Sequence, residues 1–380
     1  MPTVIHTSDS HLGAPLAWMG KGATEQREQL KRTFAAVIDL AIDEGASCLI
    51  IAGDLFDSNR PPASAVRFAI RELTRLTIDT EASIVLLPGS HDHLSENSVY
   101  TSYRDEFRQV AGLTVLGVSG ETCARDDRLG IAVHGQAPRS NRSSIHQLAD
   151  LSPDPDVPFN IAVAHGSVMI VPGAEEDHPI SQEELSAPGW SYFALGHWHS
   201  WREIKTEGAP AVYPGAPELI AADQGGSGHV AKIELRASGA RVSQVRVGAR
   251  VVTEARTDLS DALDTADVIR RVVRDAPADP AAVLRLTLTG LLDVGSAFDE
   301  QELMDALADQ YFAVCQPTMN YHVRLTDADL NALPEHLVVG RFVRLMRERL
   351  EQSGADEEHG EIEAALQLGV ALLEGKDVLG

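Results

Sequence analysis

Short apolar runs that alternate with amphipathic segments dominate the N-terminal part of the chain, and they restrict the fold more than any other feature. The runs "TVIHTSD", "SCLIIAGD" and "ASIVLLPG" have the length of β-strands and are far too short to span a membrane. Between the first two runs, Leu30, Phe34 and Val37 recur at the spacing of one helix face. Because strands that alternate with helices build a sheet covered by helices, this order predicts a layered α/β fold.

The character of the sequence changes twice further along the chain, which predicts three domains. Up to residue 252, "FNIAVAHG" and "WSYFALGH" continue the α/β pattern, and "APAVYPG", "HVAKIEL" and "RVSQVRVG" alternate as strands of an antiparallel sheet do. Residues 253–333 are predicted to form a small α+β module with a modest core of its own. Residues 334–380 contain two helical segments, "EHLVVGRFVRLMRERLEQ" and "EEHGEIEAALQLGVALLEG".

Composition and charge limit the class of protein. The N-terminus lacks the basic and long apolar stretches of a signal peptide, and Cys48, Cys123 and Cys315 lack the spacing of a disulfide or zinc framework. These features predict a cytoplasmic protein without a membrane segment. With 32 Lys and Arg against 56 Asp and Glu, the net charge is −24, the opposite of what bulk attraction to duplex DNA requires.

Polar residues suited to metal binding follow nearly every predicted strand of the first domain. They occur in "SDSHLG", "AGDLFD", "PGSHDH", "AHGS" and "GHWH", and glycines beside them permit tight turns. Ligands collect at strand ends in open α/β sheets, and shells that mix imidazole and carboxylate suit Mn, Fe or Zn better than Mg. The order therefore predicts a divalent-metal site. Its candidate residues are Asp9, His11, Asp54, Asp57, His91, His165, His197 and His199.

These motifs resemble the calcineurin-like metallophosphoesterases, whose pattern is DxH, GDxxD, GNH followed by D or E, H, and GHxH. The resemblance covers residues 3–220 and implies a β-sandwich flanked by helices, with two divalent metal ions, Mn²⁺ above all. It implies that Asp54 bridges the two metals and that His91 is the general acid, oriented by Asp92. The remaining ligands at matching positions are Asp9, His11 and His199 for one metal, and Ser90, His165 and His197 for the other.

Position 90 departs from the family pattern, because Ser90 stands where the family has asparagine. Serine is the shorter residue, so its hydroxyl is expected to stay off the metal or to reach it through a water molecule. We therefore expect the second metal to be bound more weakly than the first.

Within the family, the chain is similar to the SbcD-type DNA repair nucleases and, among them, to a YhaO-like bacterial subgroup. The similarity lies in "HTSDSHLG", "AGDLFDSNRPP", "PGSHD", "ALGHWH" and "YPGAPE". It implies DNA as the substrate and a capping domain at residues 253–333. It also implies that residues 335–374 dock on an SbcC-like coiled-coil ATPase or on a second copy of the chain in a homodimer.

Three functions stay open from the sequence. The first is a metal-dependent phosphodiesterase that cuts DNA as an exonuclease or endonuclease. The second is a phosphoesterase for a small nucleotide or phospho-compound, which the acidic charge suits better, and the third is a scaffold subunit with little or no activity. Substrate contacts are predicted for Asp57, Arg60 and Trp198, although Asp57 also fits a turn cap and Trp198 the core. The arginines that follow Arg60 along one predicted helix fit either a DNA track or a solvated face. They are Arg67, Arg71 and Arg75.

Overall fold

The computed structural model describes residues 1–169, 177–221, 225–293, 296–353 and 356–375. The chain divides into two compact units, Met1–Val251 and Val252–Gly380. Within the described ranges, no helix has both the length and the apolar character needed to cross a membrane.

Unit 1 contains the strands and helices that carry the predicted site motifs. Its strands are β1 (Thr3–Thr7), β2 (Cys48–Ala52), β3 (Ser83–Leu87), β4 (Leu113–Val115), β5 (Cys123–Asp126), β6 (Ile131–Gly135), β7 (Phe159–His165), β8 (Tyr192–Gly196), β9 (Arg202–Ile204), β10 (Ala211–Tyr213), β11 (His229–Glu234) and β12 (Arg241–Arg246). Its helices are α1 (Ala23–Asp43), α2 (Ala63–Asp79), α3 (Val99–Ser102), α4 (Arg104–Arg108) and α5 (Gln182–Leu185), with a 3-10 helix at Ala17–Gly22.

The strands form two six-stranded sheets, each parallel in its middle and antiparallel at an edge. The first sheet has the order β12-β11-β1-β2-β3-β4, in which β1 to β4 are parallel and β11 and β12 are antiparallel to their neighbours. The second has the order β5-β6-β7-β8-β10-β9, in which β6, β7, β8 and β10 are parallel. In both sheets the carboxyl ends of parallel strands therefore meet at one edge.

The main core lies between the two sheets. Ile50 and Val85 of the first sheet pack in one cluster with Val163 and Ala194 of the second. All residues of β2 are buried, so both faces of the first sheet are covered, as in other parallel sheets. A second cluster, which includes Phe193, packs behind the second sheet. The predicted layered α/β sandwich with flanking helices is confirmed.

Unit 2 has two apolar clusters of its own. Its elements are β13 (Val251–Asp258), α6 (Thr265–Asp275), β14 (Ala282–Leu292), α7 (Glu300–Ala308), β15 (Ala313–Val314), β16 (Thr318–Val323), α8 (Asp327–Ala332), α9 (Val338–Gln352) and α10 (Asp356–Leu373). Val268 of α6 and Leu303 of α7 pack against Leu286 of β14 in one cluster. Val343 of α9 packs against Leu366 of α10 in the other, so the two predicted C-terminal helices cover part of each other.

One detail of the strand prediction is wrong. The three alternating segments that end the first domain do not share an antiparallel sheet. Strand β10 is fully buried and runs parallel to β8 in the second sheet, whereas β11 and β12 pair antiparallel in the first. A three-residue strand is too short for its alternation to reveal which sheet it joins.

Candidate metal centre

The candidate ligands lie where the carboxyl ends of the parallel strands meet. Asp9 follows β1, Asp54 follows β2 and Ser90 follows β3, while His165 ends β7 and His197 follows β8. The structure brings seven of the candidate residues into three groups, and within each group possible ligand atoms lie within 4.8 Å of one another. The groups are Asp9, His11 and His199; Asp9, Asp54 and His165; and His11, Asp57 and His91.

The backbone at this edge is held in unusual conformations. Asp9, His11 and Asp54 have positive φ angles of 53°, 43° and 50°. Positive φ is uncommon for residues other than glycine, and such strain tends to occur at functional sites. Gly53 is required here, because its φ is +89° and a Cβ atom would lie only 2.1 Å from Nδ1 of His165. The turns after the strands are therefore shaped to aim these side chains at one point.

Asp54 lies at the centre of the group. Its Oδ1 accepts the backbone N–H of His91 at 2.8 Å, which fixes the carboxylate. Its Oδ2 lies 3.2 Å from Nε2 of His165 and 3.7 Å from Nε2 of His11. Burial opposes ionisation of Asp54, but the charges of His165 and His11 outweigh it and hold its pKa below the usual range. One ionised oxygen thus faces two imidazoles, as a bridging ligand requires.

The two buried imidazoles are oriented with Nε2 towards Asp54. His165 donates its Nδ1 proton to the carbonyl oxygen of Ala52 at 2.9 Å, and His11 uses Nδ1 to bond the Asp57 carboxylate at 3.0 Å. Such partners usually fix the tautomer of a metal-binding histidine. Nε2 of His11 is buried without a hydrogen-bond partner among the described residues. An orphaned imidazole nitrogen beside carboxylates fits a divalent metal ion.

The electrostatics of the group favour positive charge. Burial lowers the pKa of His165, but the charge of Asp54, its hydrogen bond and the charge of Asp9 raise it to about 10. Burial also opposes protonation of His11, but its bond to Asp57 and the nearby carboxylates raise its pKa. The same negative potential would hold a divalent cation in place of these protons.

His199 and His197 stand in different surroundings. Nε2 of His199 lies 3.6 Å from Oδ1 of Asp9, and its ring is 5.0 Å from the ring of His11. The His197 ring is 5.3 Å from the His165 ring, but its Nε2 bonds Oδ2 of Asp177 at 2.7 Å. The described ligand groups do not include His197.

Asp177 is a site residue that the sequence analysis missed. Besides its bond to His197, its carboxylate accepts the hydroxyl of Ser167 at 3.3 Å. A single acid in a polar loop, far along the chain from the histidine that it contacts, gives no periodic or motif signal. Its partner is visible only in the folded chain.

The loop after β3 places Ser90, His91 and Asp92 in three different settings. The buried hydroxyl of Ser90 lies 3.3 Å from Oδ2 of Asp54 and 3.4 Å from Nε2 of His165. The exposed His91 ring donates from Nδ1 to the carbonyl oxygen of Asp57 at 3.0 Å. The predicted orientation of His91 by Asp92 is therefore wrong. The Asp92 carboxylate is buried and accepts hydrogen bonds from the backbone of Gly89 and Phe56 and from the hydroxyl of Tyr100. These bonds stabilise the loop from its buried side.

The predicted substrate contacts have mixed outcomes. The Asp57 carboxylate bonds His11, which gives it an orienting role, and its contact with substrate stays a prediction. Trp198 packs against the cluster behind the second sheet, beneath the guanidinium of Arg202, which favours the core alternative. The side chain of Arg60 is exposed.

The arginines further along α2 are largely neutralised. Arg71 bonds Glu72, and Arg75 bonds both Glu72 and Asp39. These two side chains fit a solvent-facing helix surface better than a DNA-binding one. The side chain of Arg67 is exposed.

Comparisons with known proteins identify relatives of this chain. The chain is 26% identical over 217 residues to "Uncharacterized metallophosphoesterase YhaO" of Bacillus subtilis, covering 56% of this chain and 52% of that one. It is 28% identical over 228 residues to "DNA double-strand break repair protein Mre11" of Methanopyrus kandleri, covering 57% and 49%. Its identity to the Mre11 protein of Aeropyrum pernix is 26% over 308 residues, covering 74% and 70%.

The first two of these matches span about half the length of the relatives. The family model described as calcineurin-like phosphoesterase matches residues 2–201, which contain strands β1 to β8 and the candidate ligands. The protein belongs to the calcineurin-like phosphoesterase family, whose members are hydrolases that use divalent metals.

Proposed function

We propose that this protein is a two-metal phosphodiesterase that hydrolyses DNA. The observation that carries the proposal is the position of Asp54, whose Oδ2 faces Nε2 of His11 on one side and Nε2 of His165 on the other. Relatives named as Mre11 DNA repair proteins support DNA as the substrate.

The chain's own residues would hold the two metals in two groups joined by Asp54. The first half of the metal centre is formed by Asp9, His11 and His199, and the second half by Ser90, His165 and His197. Bound divalent ions, Mn²⁺ above all, supply Lewis acidity and a nucleophilic water near neutral pH. Asp57 keeps His11 in the tautomer that presents Nε2, and the carbonyl of Ala52 does the same for His165.

His91 is the residue that we propose to protonate the leaving oxygen. Because its Nδ1 donates to the carbonyl of Asp57, its Nε2 is left for proton transfer. The ring is exposed, so a substrate can reach it, and it lies beside the first half, 4.9 Å from the His11 ring. A positioned acid of this kind contributes roughly 10²–10⁴-fold to a rate.

A second candidate function is hydrolysis of a small phosphoester. The net charge of −24 favours it, because a polyanion such as DNA is repelled by an acidic surface. The YhaO relative is named only as a metallophosphoesterase, which fits either substrate.

One experiment separates the two candidates and the scaffold alternative. The purified protein is incubated in Mn²⁺ with single-stranded DNA, with double-stranded DNA and with bis-p-nitrophenyl phosphate. Cleavage of DNA supports the first candidate, and turnover of the small diester alone supports the second. If no substrate is hydrolysed while both metals bind, the protein is a scaffold and the proposal is wrong.

For the C-terminal helices we propose docking on an SbcC-like coiled-coil ATPase, with a homodimer as the alternative. Although α9 and α10 cover part of each other, Val338 is 70% exposed and Leu345 is 59% exposed on α9. Exposed apolar side chains in a row along a helix often mark an interface. Val338→Glu with Leu345→Glu should weaken assembly, measured by light scattering with and without the ATPase, and leave hydrolysis of the small diester unchanged. The cytoplasmic location stays a prediction.

A further inference from the structure

A cleft in unit 1 carries polar groups that the proposed mechanism does not use. It lies between residues 117–122 and residues 138–143, and its volume is about 160 Å³. A cavity of roughly 150 Å³ accommodates a benzene-sized ring. The polar residues that line the cleft are Thr122, Gln136, Arg139, Ser140, Ser143, Gln147 and His178.

Residues 138–143, which we call the arginine loop, connect this cleft to the metal centre. The side-chain amide of Asn141 donates to the carbonyl oxygen of Ser90 at 3.5 Å. His178 is fully buried, and its Nε2 donates to the carbonyl oxygen of Ser140 at 3.1 Å. The loop is therefore held in place from below and rests against the segment that contains His91.

Two glutamines that line the cleft have side-chain oxygens without hydrogen-bond partners among the described residues. The two oxygens, Oε1 of Gln136 and Oε1 of Gln147, are both buried. Gln147 is only 3% exposed, and its amide nitrogen already donates to the carbonyl of Ile145 and towards Nδ1 of His178. Those contacts fix the amide so that its oxygen remains an acceptor. A ligand that brings N–H donors would satisfy both oxygens.

The rim of the cleft adds apolar surface and positive charge. Ile145 is 62% exposed beside the cleft, which offers a surface for a flat ring. Arg139 and Arg142 are exposed, and within the described part of the chain neither forms an ion pair, unlike Arg71 and Arg75 of α2. Unpaired guanidinium groups in so acidic a protein are suited to bind phosphate.

We propose that this cleft binds one unpaired base of a nucleic-acid strand that enters the metal centre. A base with an exocyclic amino group donates to Gln136 and Gln147, and the adjoining phosphates contact Arg139 and Arg142. Cytosine matches the two acceptors, whereas thymine presents a carbonyl oxygen where cytosine has its amino group. This inference rests on the proposed DNA phosphodiesterase function.

The test measures binding without hydrolysis. Fluorescence anisotropy of the 380-residue chain in EDTA is recorded with short labelled oligodeoxycytidine and, separately, with short labelled oligothymidine. The cytidine strand should bind about tenfold more tightly, because an unpaired buried acceptor disfavours the thymine complex. Gln136→Met should remove this preference. The change should not disturb the fold, because the Oε1 atom that it removes has no hydrogen-bond partner among the described residues.

Arginine variants test the phosphate contacts. Arg139→Gln should weaken binding of both strands. It should also reduce the slope of the logarithm of the binding constant against the logarithm of salt concentration by about 1, the value expected for one lost phosphate contact. Arg32→Gln is the matched control, because Arg32 is similarly exposed but is paired with Glu25 on α1, so its loss should leave binding unchanged.

The outcomes separate this inference from the proposed function. Equal binding of the two strands by the wild-type protein, or no measurable binding of either, overturns the base-binding cleft. If the cytidine preference is present but Mn²⁺ supports no DNA cleavage, the cleft stands and the proposed function fails. If the protein cleaves DNA but shows no base preference in binding, the proposed function stands and the base-binding cleft is wrong.

Discussion

The two halves of the proposed metal centre differ in how their side chains are held. In the first half, His11 is fully enclosed, with a side-chain exposure of 2%, and its ring is held between the carboxylates of Asp57 and Asp54. In the second half, the side chain of His197 is 21% exposed and is bonded to Asp177, which is itself 37% exposed. The second half also contains His165, which is fully buried, and Ser90, whose hydroxyl is a weaker ligand than an imidazole or a carboxylate. In the proposed two-metal centre, one metal would therefore be held by a more rigid, buried set of ligands than the other.

Asp54→Ala should have the largest effect, because Asp54 is the residue that joins the halves. Its loss removes the oxygen that faces both His11 and His165, so hydrolysis should fall to background and the bound metal should drop in both halves. Metal content by mass spectrometry and turnover of bis-p-nitrophenyl phosphate in Mn²⁺ check this. Asp39→Ala, which removes an exposed carboxylate on α1, is the control. Full turnover by Asp54→Ala would show that the halves work independently.

His91→Gln tests whether His91 acts in proton transfer and not in metal binding. Because Nδ1 of His91 bonds the carbonyl oxygen of Asp57, and His91 is not among the ligands that we propose for either half, the change should leave the metal content intact. The kcat for a phosphodiester should fall by roughly 10²–10⁴-fold with little change in KM. An equal loss of metal would make His91 a ligand of the first half and remove the proposed acid.

The sequence was a better guide to the candidate ligands than to the residues that support them. Asp9, His11 and Asp54 come directly after strands whose apolar runs are unmistakable, and parallel strands must bring their ends to one edge. What a side chain bonds behind the site is set by tertiary contacts between distant segments. The sequence therefore did not reveal that Asp177 contacts His197, or that Asp92 faces inward to Tyr100.

A similar limit applies to the motif "YPGAPE". Its glutamate, Glu218, is buried and accepts hydrogen bonds from Thr33 of α1 and from the backbone of Ala249 and Arg250. The motif supported a resemblance to a nuclease group, yet its acid ties distant segments together and does not belong to the ligand groups described. A conspicuous motif identifies relatives without stating what each of its residues does.

Asp57→Ala and Asp177→Ala compare the supports of the two halves directly. Each removes the carboxylate that orients one histidine, and such partners contribute about 10–100-fold to metal affinity. Asp57→Ala should weaken the tighter of the two Mn²⁺ binding events, and Asp177→Ala should weaken the looser one. Calorimetric titration measures both. If Asp57→Ala and Asp177→Ala weaken the same binding event, the two halves are coupled and the comparison is wrong.

Ser90→Asn should have the smallest effect and the most specific one. The Ser90 hydroxyl lies within 3.4 Å of both Asp54 Oδ2 and His165 Nε2, so it points towards the place where the second metal would bind. Asparagine adds an atom of reach and a carbonyl oxygen, which is a better ligand for a divalent ion than a hydroxyl. We expect tighter binding at the second half alone and a lower Mn²⁺ concentration for half-maximal hydrolysis, by up to about tenfold.

Ser90→Ala is the matched variant, because it removes the hydroxyl without adding a ligand. If the hydroxyl stays off the metal, Ser90→Ala should bind Mn²⁺ as the wild type does, while Ser90→Asn binds it more tightly. If the hydroxyl is a ligand, Ser90→Ala should weaken the second binding event and Ser90→Asn should change it little. Two Mn²⁺ ions bound with equal affinity by the wild-type protein, with no change in either variant, would mean that serine is a full substitute for asparagine. Weaker binding in the second half could then be explained only by the exposed pair of His197 and Asp177. If that pair has no effect either, the prediction of unequal metal binding is wrong.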